Sequence, residues 1–238
     1  MNELNLSKRL QTVAKYIVKD SIFADIGSDH AYLPCYAILN GLAKGAVAGE
    51  ITNGPYQSAM NQVKKNQLEE KIVVRKGDGL EVINPGEAQC ITIAGMGGSL
   101  IAKILEEGKD KLNSAKRLIL QPNIHAVHIR KWLLANGWRL IEEEILEEDQ
   151  KLYEVLVAEK GNPNEPYEGI NLEAGLLMGP ILLKKKNEVF KKKWHNEAEH
   201  WEKIIEKLSL NSDNPENKTK RKELENLLAL VKGGLCHE

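Results

Sequence analysis

Over the first ~160 residues, short apolar runs alternate with amphipathic stretches, and this alternation constrains the fold more than any other feature. SIFADIG, GAVAGEI, KIVVRKG, CITIAGM and RLILQP each have the length of a buried strand. PYQSAMNQVKKNQ, SLIAKILEEG and HAVHIRKWLLANG carry apolar residues at helical spacing. Pro55 opens the first of these helices, and Gly108 and Gly137 stop the other two. Leu6, Leu10, Val13 and Ile17 predict a further helix, capped by Ser7 or Asn5. WRLIEEEILEEDQKLYEVLVAEK reads as two long strands turning near Glu148-Asp149. Strands alternating with helices imply right-handed crossovers and a mainly parallel sheet. The closing hairpin adds an antiparallel strand at or near its edge. The predicted fold is α/β, a Rossmann-like doubly wound sheet with ligand crevices at the carboxyl ends of its strands.

GNPNEPYEGIN is a turn-rich connector, which places a boundary between residues 1–160 and 161–238. Beyond it, one long helical stretch is expected from about Leu176 to Leu210, with Phe190, Trp194, Trp201, Ile205 and Leu208 on one stripe. SDNPEN breaks it, with Asp213 or Asn214 as cap, and a second helix carries Leu224, Leu227, Leu228 and Val231 on one face. Two such helices predict a C-terminal antiparallel helical hairpin, coiled-coil-like, with Trp194 and Trp201 in its seam.

Apolar residues at 42% and charged residues at 28% fit a globular chain and exclude wholesale disorder. No apolar run approaches the ~20 residues that span a bilayer. MNELNLSKRLQTVAKYIVKD lacks the apolar core of a signal peptide. Cys35, Cys90 and Cys236 form no CxxC pair, so neither a disulfide framework nor a zinc site is expected. These features predict a cytoplasmic protein with no membrane and no metal; they leave the oligomeric state open, with a monomer slightly favoured. The net charge of −1 provides no overall basic field, but the segment from Lys184 onward is the basic part of the chain.

The strongest local signal is Asp25-Ile26-Gly27-Ser28-Asp29-His30 at the end of the first strand. Gly27 permits a tight turn beneath a ligand. Asp29 stands where a dinucleotide loop wants glycine, and its charge opposes a pyrophosphate. It suits a ligand with a cationic or amino-acid portion, and S-adenosylmethionine has both. Glu50 ends the second strand, where a carboxylate can accept from both ribose hydroxyls; alone it reads equally as a surface carboxylate. Asp78-Gly79 can receive an adenine amine or form a plain turn. Ala94-Gly95-Met96-Gly97-Gly98-Ser99 suggests close backbone approach to a ligand, or a flexible loop. The (Asp/Asn)-Pro-Pro-aromatic motif of DNA adenine-N6 methyltransferases is absent there. Gln121 and Asn123 offer amides to a base edge, although Pro122-Asn123 also forms turns.

Taken in order, DIGSDHAYLP, VAGEI, KGDGLEV, IAGMGG and LQPN resemble the bacterial tRNA (adenine-22-N1)-methyltransferase family, TrmK. The resemblance covers the whole chain and implies a class I methyltransferase domain followed by a helical appendage in contact with tRNA. It implies S-adenosyl-L-methionine as cofactor and tRNA as partner. Matching motifs make Asp25, Gly27, Glu50, Asp78 and Gly79 cofactor-binding positions, with Gly95 and Met96 on the methionine side. Asp29 and His30 become the candidate catalytic pair, and Arg9 a candidate substrate contact. Adenine N1 carries no proton at neutral pH, so positioning supplies most of the catalysis; Asp29 is the candidate carboxylate to stabilise the charge arriving on the ring, the alternatives being that it accepts from the adenine N6 amine or binds the cofactor amine. His30 orients Asp29 or the base, or merely caps.

A flipped target base requires grip elsewhere on the RNA. Lys184, Lys185, Lys191 and Lys192, with Arg221 and Lys222, are the candidate phosphate contacts; a solvated helix face is the alternative. The residues alone leave open a class I methyltransferase for another RNA, a protein or a small molecule, and a non-catalytic RNA-binding protein on the same scaffold.

Overall fold

The computed structural model describes residues 4–209 and 214–236. The apolar runs form β1 (Ile22–Ile26), β2 (Gly45–Glu50), β3 (Ile72–Lys76), β4 (Cys90–Gly97) and β5 (Arg117–Ile124), all parallel. β6 (Trp138–Glu148) and β7 (Lys151–Lys160) complete the sheet antiparallel, in the order β3-β2-β1-β4-β5-β7-β6. Asp149 and Gln150 both have positive φ, as a two-residue hairpin turn requires. Phe23, Ile91, Ile93 and Leu118 are fully buried or nearly so, which is why these strands read as continuous apolar runs.

The helices of this unit are α1 (Lys8–Lys15), α2 (Tyr32–Leu39), α3 (Asn53–Lys65), α4 (Gly98–Glu107) and α5 (Ala126–Ala135). Ser7 caps α1, its Oγ accepting from the Leu10 N–H at 3.3 Å. α2 carries no helical signal in the sequence. Leu33, Pro34, Cys35, Ala37 and Ile38 are all buried, so YLPCYAIL shows no polar face to mark it as a helix. A buried ion triad ties α5 to the hairpin. Arg130 Nε donates to Glu143 Oε1 at 2.7 Å and a terminal nitrogen donates to Glu154, with all three side chains at most 4% exposed.

Contacts divide the chain into two compact units, Met1–Glu165 and Pro166–Glu238. The second holds α6 (Leu172–Met178), α7 (Pro180–Lys185), α8 (Glu188–Ser209) and α9 (Pro215–Cys236). The single long helix expected from Leu176 is therefore corrected to three. Gly179, at φ +96, precedes Pro180 and ends α6. Lys186 is left-handed, and Asn187 starts α8 by accepting from the Phe190 N–H at 2.9 Å. Leu210 and Asp213 lie outside the described residues. Asn214 acts at the start of α9, its Oδ1 accepting from the Glu216 N–H at 2.9 Å. α8 and α9 pack together, and Lys232 pairs with Glu202 across them at 2.8 Å. Only residues 210–214 separate these two helices, so they run antiparallel. Phe190 and Trp194 are buried on α8, with Trp201 half-buried beside Trp194.

Candidate active site

The sheet order reverses at β1, whose neighbours are β2 and β4, and the crevice opens at the carboxyl ends of these strands. The register places Thr92 of β4 beside Asp25 of β1. Thr92 Oγ1 donates to Asp25 Oδ1 at 2.6 Å, and Ser28 Oγ donates to Oδ2 at 2.7 Å. Burial raises the Asp25 pKa; the two hydrogen bonds oppose that rise without cancelling it. The Gly27 and Ser28 N–H groups both donate to the Gly49 carbonyl, at 3.0 and 3.1 Å, which ties the turn to β2. Gly27 sits at φ +68, and a Cβ there would lie 2.2 Å from the Met96 methyl. The positive φ favours glycine; the Met96 methyl, at the end of a flexible side chain, would have to move aside for any other residue.

Asp29, His30 and Ala31 follow with φ of +45, +70 and +55. Three consecutive left-handed non-glycine residues store strain at this loop. The loop directs the backbone N–H groups of Asp29 and His30 at the Glu50 carboxylate. Glu50 is 5% exposed, and its Oε1 has no hydrogen-bond partner. Burial and then the Asp25 charge raise its pKa, against those N–H groups.

Arg9, Asp25, Gly27, Ser28, Asp29, Gly95, Met96, Asn123 and Tyr153 line one cleft of about 350 Å³. Asp78 and Gly79 line a second, of about 270 Å³, with Ile104 and Lys111. A Cβ on Gly79 would come 3.0 Å from Ile104, so the chain passes close to α4 there. His30 does not line the first cleft. It stacks on Tyr32, ring centroids 5.4 Å apart, with Nε2 3.4 Å from Asp29 Oδ1. The Asp29 side chain is 74% exposed at the mouth.

Two expectations need correction. Gln121 is 0% exposed and its amide is spent internally, so it cannot read a base edge. Of the adjacent glycines, Gly98 serves the protein's own packing: a Cβ there would lie 2.1 Å from the His125 carbonyl oxygen. Tyr153 is a cleft residue that the sequence did not mark. Its only signal is its place on an edge-hairpin strand, and it is recognised through the Arg9 guanidinium 5.4 Å from its ring centroid.

In the second unit, Lys184, Lys185, Lys191 and Lys192 are exposed but belong to two helices separated at Lys186. The one long helix expected to carry all four is thus broken between the two pairs. Lys184 donates to the Pro166 carbonyl at 3.0 Å and Lys191 pairs with Glu188 at 3.0 Å. Arg221 pairs with Glu225 at 3.3 Å, and Lys222 is exposed.

The residues fit a nucleoside cofactor with a cationic amino-acid arm. Glu50 keeps an unpartnered buried carboxylate oxygen, Gly27 brings bare backbone to the cleft at φ +68, and the carboxylates of Asp25 and Asp29 line that cleft as acceptors. The sheet order, the antiparallel closing hairpin and this crevice define a Rossmann-like class I methyltransferase. The particular family follows from comparison with known proteins. The model of the tRNA (adenine(22)-N(1))-methyltransferase family matches residues 23–233, and the chain belongs to that family. It is 61% identical over 237 residues to the tRNA (adenine(22)-N(1))-methyltransferase of Bacillus subtilis (strain 168), covering 100% of each chain. The crystal structure of the B. subtilis enzyme aligns with TM-score 0.95, covering 97% of this chain and 99% of that one at 61% identity. A Streptococcus pneumoniae chain solved in complex with S-adenosyl-L-methionine aligns with TM-score 0.85 at 41% identity, covering 97% of this chain and 100% of that one.

Proposed function

We propose that this protein transfers a methyl group from S-adenosyl-L-methionine to N1 of adenine 22 in tRNA. The carrying observation is the cleft at β1 and β4 lined by Asp25 and Asp29, in a chain 61% identical to an enzyme of that name, with an unpartnered oxygen on the buried Glu50 at the end of β2. The bound cofactor supplies an electrophilic methyl group. Glu50 accepts from the ribose hydroxyls, while Asp78 and Gly79 frame the adenine side and Asp25, Gly27, Gly95 and Met96 the methionine side. N1 already presents an in-plane lone pair, so no side chain has to remove a proton first. The chain's task is to hold donor and acceptor in attack geometry and keep that contact dry.

As the ring gains positive charge, the Asp29 carboxylate at the cleft mouth stabilises it. His30, beside Asp29, orients that carboxylate. The strained backbone of residues 29–31 fixes both relative to Glu50. Arg9 and Asn123, on the cleft wall, meet the target nucleotide. N1 lies on the Watson–Crick edge, so the adenine enters unpaired and flipped out. Lys184, Lys185, Lys191 and Lys192 contact phosphates away from the reacting base. Among the described residues, no helix is long and apolar enough to cross a membrane. A tRNA substrate places the protein in the cytoplasm.

Primer extension on reacted tRNA tests this reading. N1-methylation blocks base pairing, so reverse transcription stops beside position 22 only when protein and cofactor are both present. Full-length extension after reaction with a cofactor-binding preparation contradicts it.

A further inference from the structure

Gln121 lies in the carboxyl-terminal half of β5, is 0% exposed, and has both ends of its amide engaged. Oε1 accepts from Arg9 Nη1 and from the Gly95 N–H, the latter at 3.0 Å. Nε2 donates to the Pro122 carbonyl at 2.8 Å and lies 3.4 Å from Asn123 Oδ1. The partners dictate which end is oxygen, because a guanidinium and a backbone N–H only donate while a carbonyl only accepts. Asn123 Nδ2 donates in turn to the Gly95 carbonyl at 2.8 Å. Gly95 is therefore held at both its N–H and its C=O, at φ +80, where a Cβ would come 3.4 Å from Arg9 Nη1. Arg9 comes from α1 and Gln121 from β5, 112 residues away, and the Tyr153 ring supports the guanidinium from β7.

We propose that Gln121 is a positioning residue that sets Arg9 against the Gly95 turn before the tRNA arrives. A free arginine side chain must lose its rotamer freedom on binding; one already fixed by a buried amide and an aromatic ring has lost most of it beforehand. Gln121 touches neither cofactor nor substrate. It acts through Arg9, and so on the acceptor. This inference rests on the tRNA methyltransferase reading and adds a determinant that the cleft lining does not reveal.

A double-mutant cycle on the full chain tests it. Gln121→Met keeps the length and removes the hydrogen bonds; kcat/KM for tRNA is expected to fall about 10- to 100-fold, mainly through KM. S-adenosylmethionine affinity, measured calorimetrically without tRNA, is expected to fall less than kcat/KM for tRNA does, its loss reflecting only the Gly95 N–H left without its acceptor. In an Arg9→Met background, adding Gln121→Met is expected to cost less than about threefold more. Gln121→Asn, one methylene shorter but still an amide, provides a second arm with the same expected coupling. Multiplicative losses in the double variants, or cofactor affinity falling in step with tRNA, overturn the proposal. Wild-type turnover is the control: its absence counts against the methyltransferase reading, whereas intact turnover without coupling counts against Gln121.

Discussion

Glu50→Gln separates a cofactor role from a structural one. Glu50 is buried, with one oxygen unpartnered, beside an equally buried Asp25. Its raised pKa means that the ionised form is a cost to the unliganded fold. The sign follows from linkage: a carboxyl with a raised folded-state pKa contributes stability below its unfolded value and loses that contribution as pH rises through the folded one. The amide removes this cost and keeps an oxygen for the Asp29 and His30 N–H groups. Unliganded thermal stability near pH 7.5 is therefore expected to hold or rise. Cofactor affinity is expected to move the other way. A hydrogen bond to a charged group contributes about 1.5–3 kcal/mol, so losing the charge weakens binding roughly 10- to 150-fold. Isothermal titration with S-adenosylmethionine, paired with thermal melts of the free protein, reads both. Wild-type affinity is further expected to fall as acid protonates Glu50, a dependence that Glu50→Gln loses. Unchanged affinity, or a loss of affinity matched by a loss of stability, refutes the assignment.

Gly27→Ala forces an L-residue to φ +68, at a cost of about 1–2 kcal/mol, and displaces the Met96 methyl; a lower melting temperature and weaker cofactor binding are expected, and wild-type behaviour in both assays counts against the turn as described. Arg130→Met leaves Glu143 and Glu154 buried without their cation, and urea titration should show a loss of about 3–5 kcal/mol. Lys191→Glu with Lys192→Glu is expected to raise KM for tRNA several-fold and flatten its salt dependence, with cofactor affinity unchanged; an unaltered KM assigns those lysines to a solvated face.

How far this was legible beforehand depended on local pattern. Asp25 and Gly27 stood out because an apolar run ended there in an acid and a turn residue, and β2 likewise ended in Glu50. Glu50's importance could not be read locally, since it depends on the loop at Asp29 and His30 folding back from another strand. Helix α2 is not legible in the sequence, because burial on nearly all sides erases amphipathic periodicity. The breaks at Gly179-Pro180 and Lys186-Asn187 were written in the sequence, but a continuing apolar stripe masked them. Gln121 reads as a substrate contact because residues near the ends of parallel strands face the crevice. Which way its amide turned was decided by Arg9 and Gly95, from distant segments.

The most direct measurement is methyl transfer to two unmodified tRNA transcripts that differ only in carrying adenine or guanine at position 22, with digested nucleosides read by mass spectrometry. N1-methyladenosine is expected from the adenine transcript and none from the guanine one. Equal methylation of both, or none from a protein that binds S-adenosylmethionine, contradicts the assigned acceptor.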